Sequence, residues 1–113
     1  MTDVKIKGGE FLIKEITPED IFTPEDFDEE QRMIAQTCVD FLDAEVTPHL
    51  DRIDSLEEGL MPSILKKAGE LGLLGISVSE DLGGFGKDFI TSMLTTEITG
   101  RGHSFAVSFA AHT

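Results

Sequence analysis

The sequence of 113 residues has no tryptophan or tyrosine, one cysteine, and only nine lysines and arginines against 22 aspartates and glutamates. A single cysteine, Cys38, can form neither an internal disulfide nor a cysteine zinc cluster, which suits a reducing compartment. No apolar run approaches the roughly 20 residues that a membrane-spanning helix needs. The first residues carry neither an apolar signal core nor an arginine-rich transit pattern. We therefore expect a cytoplasmic protein that does not insert into a membrane.

The shortage of basic side chains leaves a formal net charge of −13. Such a surface repels phosphates, which argues against nucleic acid and anionic membranes as partners. Most of the acid lies between Glu10 and Glu58, where Lys14, Arg32 and Arg52 are the only bases. Two interpretations of this segment stay open: a solvated helix face, which is the commoner case, or a docking surface for a basic protein.

The N-terminal region contains weak alternation and two helix-start signals. Residues 4–13 alternate around Gly8 and Gly9, which fits either a small hairpin or an extended arm. The phrase Thr-Pro-Glu-Asp occurs at residues 17–20 and again at 23–26. Each copy offers a capping threonine, a proline at the first helical position and acids at the positive end of the helix dipole. We expect the first copy to make one turn that buries Ile21 and Phe22, and the second to open a long helix.

That long helix is predicted over residues 24–56. Its apolar residues recur at spacings of three, four and seven, which indicates one buried stripe: Phe27, Ile34, Cys38, Phe41, Leu42, Val46, Leu50 and Ile53. Pro48 removes one backbone donor and should kink the helix. A helix that stops at Thr47 is the simpler alternative, but the stripe continues beyond the proline, so we favour one kinked helix.

A shorter helix and a glycine-closed loop follow. The helix carries inward positions at Met61, Ile64, Leu65, Ala68 and Leu71. Gly72 is the expected C-terminal cap, because glycine reaches positive φ without steric cost. Residues 73–78 are predicted to run buried and extended. The Gly-Gly-Phe-Gly cluster at residues 83–86 matches neither a dinucleotide-binding motif nor a P-loop, so we interpret it as a tight turn.

Two further helices are predicted in the last quarter of the chain. Asp88 starts the first, with these residues inside: Phe89, Ile90, Met93, Leu94 and Ile98. The second begins near Ser104, and we expect it to be truncated at Thr113. Phe105 and Phe109 should enter the core, while one mildly polar face is formed by Ser104, Val107, Ser108, Ala111 and His112. The pattern predicts an all-α, up-and-down orthogonal-type bundle of four to five helices.

Several phrases, in order, resemble the N-terminal domain of the acyl-CoA dehydrogenases. They are CVDFLDAEVTPHLD at residues 38–51, LGLLGI at 71–76, SEDLGGFG at 79–86, EITG at 97–100 and SFAVSFAAHT at 104–113. The last phrase is similar to the very-long-chain branch, and Ser79 stands where the family usually has proline. The resemblance covers about residues 20–113, which we take as the helical domain. Residues 1–19 fall outside it and are interpreted as an extended N-terminal arm.

The resemblance implies a function for a larger, three-domain protein. Family members oxidise acyl-CoA to trans-2-enoyl-CoA with FAD, usually pass electrons to an electron-transferring flavoprotein, and mostly form dimers or tetramers. Their catalytic glutamate and most flavin contacts lie in later domains, so we expect no catalytic, cofactor-binding or metal-binding residue in this segment. We expect instead one wall of the acyl pocket, for medium to long chains, from Val107, Ser108, Ala111 and His112. A stand-alone acidic helical adaptor for a basic protein is the alternative.

Overall fold

The computed structural model describes residues 5, 6 and 8–113. In this part of the chain no strand forms, apart from one isolated parallel bridge between Ile6 and Ile21. Five α-helices follow in order: α1 (Glu29–Phe41), α2 (Leu50–Asp54), α3 (Leu60–Glu70), α4 (Phe89–Thr99) and α5 (Ser104–His112). The all-α prediction is therefore confirmed. None of the helices seen in the described ranges is long and apolar enough to cross a membrane.

The N-terminal segment folds back onto the first proline turn instead of forming a hairpin or a fully extended arm. Gly8–Leu12 makes a short 3₁₀ helix. The Phe22 N–H donates to the Ile6 carbonyl at 3.0 Å, so residue 6 is held beside the start of the bundle. Val4, where the predicted hairpin begins, lies outside the described residues. The domain boundary at residues 19 and 20 stays a prediction.

The long helix begins later than predicted. The first Thr-Pro-Glu-Asp copy makes a single 3₁₀ turn, as expected, but the second does the same, over Pro24–Asp26, and the chain then extends through Asp28. Asp28 caps α1: its carboxylate accepts the Gln31 N–H at 2.7 Å, and the Gln31 side chain accepts the Asp28 N–H at 3.0 Å. Two capping sites five residues apart each form, which breaks the helix between them.

Helical structure continues through Pro48, as predicted, by changing its hydrogen-bond pattern. α1 passes into a π-helical segment, Leu42–Val46, then a 3₁₀ turn, Thr47–His49, and then α2. The Thr47 N–H donates to the Leu42 carbonyl, five residues back. This wider hydrogen-bond pattern accommodates Pro48, which has no backbone N–H to donate. Most of the predicted stripe is buried: Cys38, Phe41, Leu42, Val46 and Ile53.

Gly72 ends the α3 region as predicted, with φ +82°. A Cβ at this position would lie 2.5 Å from Cζ of Phe85, so both the turn and the packing require glycine. The following residues are not extended, since Leu73–Gly75 forms a 3₁₀ turn. Leu73 and Ile76 are nevertheless buried, as expected.

The buried face of α4 differs from the predicted one. Phe89 and Met93 are 77% and 50% exposed, and of the predicted inward residues only Ile98 is fully buried. The face that packs inward carries Thr91, Thr95, Ile98 and Thr99. Buried hydroxyls are costly unless they form hydrogen bonds. Here they do: Thr95 Oγ1 donates to a carbonyl of its own helix at 2.9 Å, for example. The apolar periodicity therefore predicted the helix correctly and its orientation wrongly.

Candidate functional site: the outer face of α5

A tight turn brings α5 back onto the bundle. Gly100–Gly102 forms one 3₁₀ turn, and His103 takes φ +52°, in the left-handed region. Gly102 is buried, and a Cβ there would lie 3.2 Å from both the Val46 and Phe105 side chains. The close packing of this turn sets where α5 starts relative to the π-helical segment.

The inner face of α5 is anchored by two aromatic side chains. Phe105 is 0% exposed and Phe109 is 3% exposed. The Phe105 ring centroid lies 6.0 Å from that of Phe41 on α1 and 5.8 Å from that of Phe109. The prediction that both phenylalanines enter the core is confirmed, and the orientation of the helix follows from it.

The predicted substrate-facing residues lie on the outer side of α5. Val107 is 73% exposed, Ala111 and His112 are also exposed, and Ser108 is half-buried. Ser108, together with Ser104, lines a cavity of about 350 Å³ against the turn between α2 and α3. Val107, Ala111 and His112 line no part of that cavity. The structure thus keeps the four residues on one open helix face and does not enclose them.

Polar groups at both ends of α5 are engaged within the domain. Ser104 Oγ donates to Asp54 Oδ1 at 2.9 Å, and Asp54 Oδ2 lies 3.6 Å from Nδ1 of His103. His112 Nδ1 lies 2.8 Å from the Ser108 carbonyl oxygen. Because a carbonyl can only accept, Nδ1 carries the proton, and Nε2 is the acceptor of the neutral ring.

The glycine loop offers no phosphate cradle. All five backbone N–H groups from Gly83 to Lys87 donate to carbonyls within residues 75–80, at 2.8 to 3.1 Å. Gly84 packs so closely that a Cβ would lie 2.2 Å from the Val78 oxygen. Anion-binding loops need free N–H groups that point at the ligand. The loop is therefore a tight turn, as its sequence indicated.

Two titratable side chains have pKa values shifted away from those that suit catalysis. Burial raises the pKa of the Cys38 thiol to about 11, so this free cysteine is a poor nucleophile. The hydrogen bond from Arg52 lowers the pKa of Glu57, which keeps that carboxylate ionised and unsuited to acid–base work. Within the described ranges no three histidine, cysteine or acidic side chains are grouped as metal ligands.

An apolar groove beside α4, which we call the α4 groove, was missed by sequence reasoning. It encloses about 790 Å³ and is lined mainly by Phe22, Phe27, Phe89, Ile90, Met93 and Leu94. Helical periodicity placed the α4 members of this set in the core. The signal that could have revealed the groove is the series of threonines at positions 91, 95 and 99, which forms a competing face at a spacing of four.

Comparison with known proteins places these features in context. Residues 28–113 match the family model described as acyl-CoA dehydrogenase, N-terminal domain. The chain is 48% identical over 106 residues to a probable acyl-CoA dehydrogenase of Bacillus subtilis (strain 168), covering 94% of this chain and 18% of that protein. It is 41% identical over 75 residues to the mitochondrial short-chain specific acyl-CoA dehydrogenase of Rattus norvegicus, covering 66% of this chain and 18% of that enzyme.

A solved structure shows the same fold. The crystal structure of an acyl-CoA dehydrogenase from Bacillus anthracis complexed with FAD matches with a TM-score of 0.83 and 46% identity, covering 94% of this chain and 18% of that one. The chain therefore spans about a fifth of the length of these relatives. The match to the Bacillus subtilis protein spans 106 residues, which is 94% of this chain. It therefore includes part of residues 1–19. These matches do not support the alternative of a stand-alone adaptor.

Proposed function

Because this chain belongs to the acyl-CoA dehydrogenase family and matches its N-terminal domain, we propose that it is one domain of an FAD-dependent enzyme that oxidises acyl-CoA thioesters. Its role in that enzyme is to supply one wall of the acyl pocket. The wall is the outer face of α5, formed by Val107, Ser108, Ala111 and His112. Without the rest of the protein, the chain is expected to be inactive.

The exposure of Val107 is the observation that carries this assignment. Its side chain is 73% exposed, although the same helix is fixed in the core by Phe105 and Phe109. Beyond Val107, the small side chains of Ser108 and Ala111 leave space along the same face. An exposed valine with small neighbours suits a hydrocarbon chain, since each methylene removed from water contributes about 0.8 kcal/mol.

FAD is proposed as the oxidant of the full-length protein, held by parts of it that follow this domain. The glycine loop does not fit the phosphates of a flavin cofactor, because its backbone donors are consumed internally. Electron-transferring flavoprotein as acceptor, a homodimer or homotetramer, and a cytoplasmic location are further parts of the proposal. The buried free thiol of Cys38 is compatible with a reducing compartment.

The first experiment is the purification of the full-length protein. A flavin absorption spectrum and reduction of an artificial electron acceptor upon addition of acyl-CoA are the expected results. A colourless protein that neither binds added FAD nor oxidises acyl-CoA would contradict the assignment. Residues 1–113 alone should neither bind FAD tightly nor turn over.

The second experiment tests the α5 wall. Ala111→Leu adds three carbons to the proposed wall and should lower kcat/KM for palmitoyl-CoA relative to butyryl-CoA by about tenfold, from steric loss of a few methylene contacts. Ala110→Leu is the matched control, since Ala110 is also exposed on α5 but lies outside the proposed set. Equal effects of the two variants would show that the assigned face does not line the acyl chain.

The preference for medium to long acyl chains stays a proposal. It depends on the small side chain of Ala111 and on the similarity of the last helix to the very-long-chain branch. Several relatives, including the rat enzyme, are named short-chain specific. Measuring kcat/KM of the full-length protein with acyl-CoA substrates of different chain lengths tests this preference. A strict preference for butyryl-CoA would exclude the proposed range.

A further inference from the structure

A buried polar relay joins the first turns of α1 and α4. The Gln31 amide Nε2 donates to Thr91 Oγ1 at 3.1 Å, and this hydroxyl donates to Asp88 Oδ1 at 2.8 Å. The same carboxylate oxygen accepts the Thr91 N–H at 3.0 Å, while Gln31 Oε1 accepts the Asp28 N–H at 3.0 Å. Gln31 is 9% exposed and Thr91 is 2% exposed. The capping groups of two helices are thus linked to each other through one hydroxyl.

The other end of α1 makes a different kind of contact, with α5 and not with α4. There Phe41, at the end of α1, meets Phe105 of α5 with ring centroids 6.0 Å apart. Apolar burial has no preferred direction, so it tolerates sliding of one helix along another. A hydrogen bond weakens steeply when its distance and angle change. The relay is the buried directional contact between α1 and α4, whereas the neighbouring ion pair between Lys87 and Glu30 is partly exposed. It therefore has the geometric specificity to define the axial position of α4.

We infer that the relay fixes the register of α4 against α1, and that Gln31 and Thr91 are positioning residues for the outer face of α5. α5 follows α4 after a three-residue turn and His103, so a displacement of α4 along α1 is passed on to Val107 and Ala111. A slip of a whole turn would amount to about 5.4 Å. The consequence for the acyl pocket rests on the proposed function, whereas the register itself does not.

Three variants of the full-length protein separate positioning from stability. Thr91→Val replaces the hydroxyl by a methyl group of similar size and leaves the Gln31 amide without its acceptor. Thr91→Ser keeps the hydroxyl and is the conservative control. The double variant Gln31→Met/Thr91→Val removes both partners of the Gln31–Thr91 bond. It also removes the acceptor of the Asp28 N–H, so its stability need not recover and its activity ratio is the quantity compared.

The first readout is the ratio of kcat/KM for palmitoyl-CoA to that for butyryl-CoA. We expect Thr91→Ser to keep the wild-type ratio, and both Thr91→Val and the double variant to change it by roughly threefold or more. A purely structural relay makes a different prediction: Thr91→Val and the double variant would both keep the wild-type ratio and differ from the wild type only in melting temperature. That result would overturn the inference.

Amide hydrogen exchange of the same proteins gives a readout that does not depend on activity. Peptides that cover α4 and the turn into α5 should exchange faster in Thr91→Val and in the double variant than in Thr91→Ser. Unchanged exchange in both would refute the register role. A wild-type protein without flavin or acyl-CoA oxidation would refute the proposed function instead, and the exchange data would still decide the register.

Discussion

Replacing Phe105 by alanine should lower the free energy of unfolding by about 3–5 kcal/mol, the usual loss for a buried phenylalanine. Its side chain is 0% exposed and packs between Phe41 and Phe109, where α5 meets α1. The substitution removes a ring from the core and breaks two aromatic pairs, each worth about 0.5–1.5 kcal/mol beyond its buried area. Since domains have only about 5–15 kcal/mol of stability, this is a large fraction of the total.

A matched control lies on α4. Phe89→Ala removes the same atoms from a side chain that is 77% exposed, so its effect should stay within about 0.5 kcal/mol. Urea unfolding of the 113-residue chain, followed by far-ultraviolet circular dichroism, measures both, because the chain has no tryptophan or tyrosine for fluorescence. Phe105→Leu, which keeps most of the apolar volume, should lose less and serves if the alanine variant does not fold.

The comparison between the two phenylalanines is decisive for the orientation of α4. Similar losses for Phe105→Ala and Phe89→Ala would mean that Phe89 faces the core, as periodicity alone predicted. That result would contradict both the presence of the α4 groove and the burial of the α4 threonines.

Three further outcomes follow from the local geometry. Gly72→Ala should destabilise the chain by more than Gly59→Ala. Both glycines have positive φ, which costs about 1–2 kcal/mol for other residues, but only at Gly72 would the Cβ meet Phe85. The urea midpoints of the two variants measure the difference, and equal shifts would exclude the clash. Asp28→Ala should cost about 0.5–2 kcal/mol through loss of the α1 cap, with faster amide exchange in the first turn; unchanged exchange there would count against the cap. A backbone hydrogen bond from Thr23 lowers the pKa of Asp26 from its usual 3.8. The stability that the ionised Asp26 contributes to the fold is therefore complete above pH 3.8 and is lost as the pH falls through the lowered folded-state pKa. Melting temperatures should accordingly fall between about pH 5 and pH 2, and they should fall less steeply in Asp26→Asn.

The helix ends could be predicted from the sequence where one capping residue acts alone. Asp88 caps α4 by accepting the Thr91 N–H at 3.0 Å, and Gly72 supplies the positive φ after α3. The start of α1 could not be predicted in this way, because Thr23 and Asp28 both carry capping signals. Between them lies Phe27, whose ring centroid is 5.7 Å from that of Phe22, a contact that sequence alone does not show.

The orientation of α4 illustrates a second limit. The larger apolar side chains of Phe89 and Met93 are exposed, while threonine can satisfy its hydroxyl within its own helix and so tolerates burial. On the buried face, Gln31 of α1 presents an amide to Thr91, a contact that favours this orientation of α4. Such a choice depends on a residue 60 positions away in the sequence. The outer face of α5 was predictable because Phe105 and Phe109 left no competing orientation.

The π-helical segment before Pro48 has a consequence for how the length of this domain can vary. Ile34 and Ile53 are 19 residues apart, whereas five α-helical turns take about 18. The wide turn at Leu42–Val46 absorbs the odd residue, so that both ends of the run meet the same core. A deletion of one residue around the exposed Ala44 would therefore remove the surplus residue and keep both ends of the run on the same face. α3 contains no π-helical turn, so the deletion of one residue there would rotate the following residues by about 100° away from the core.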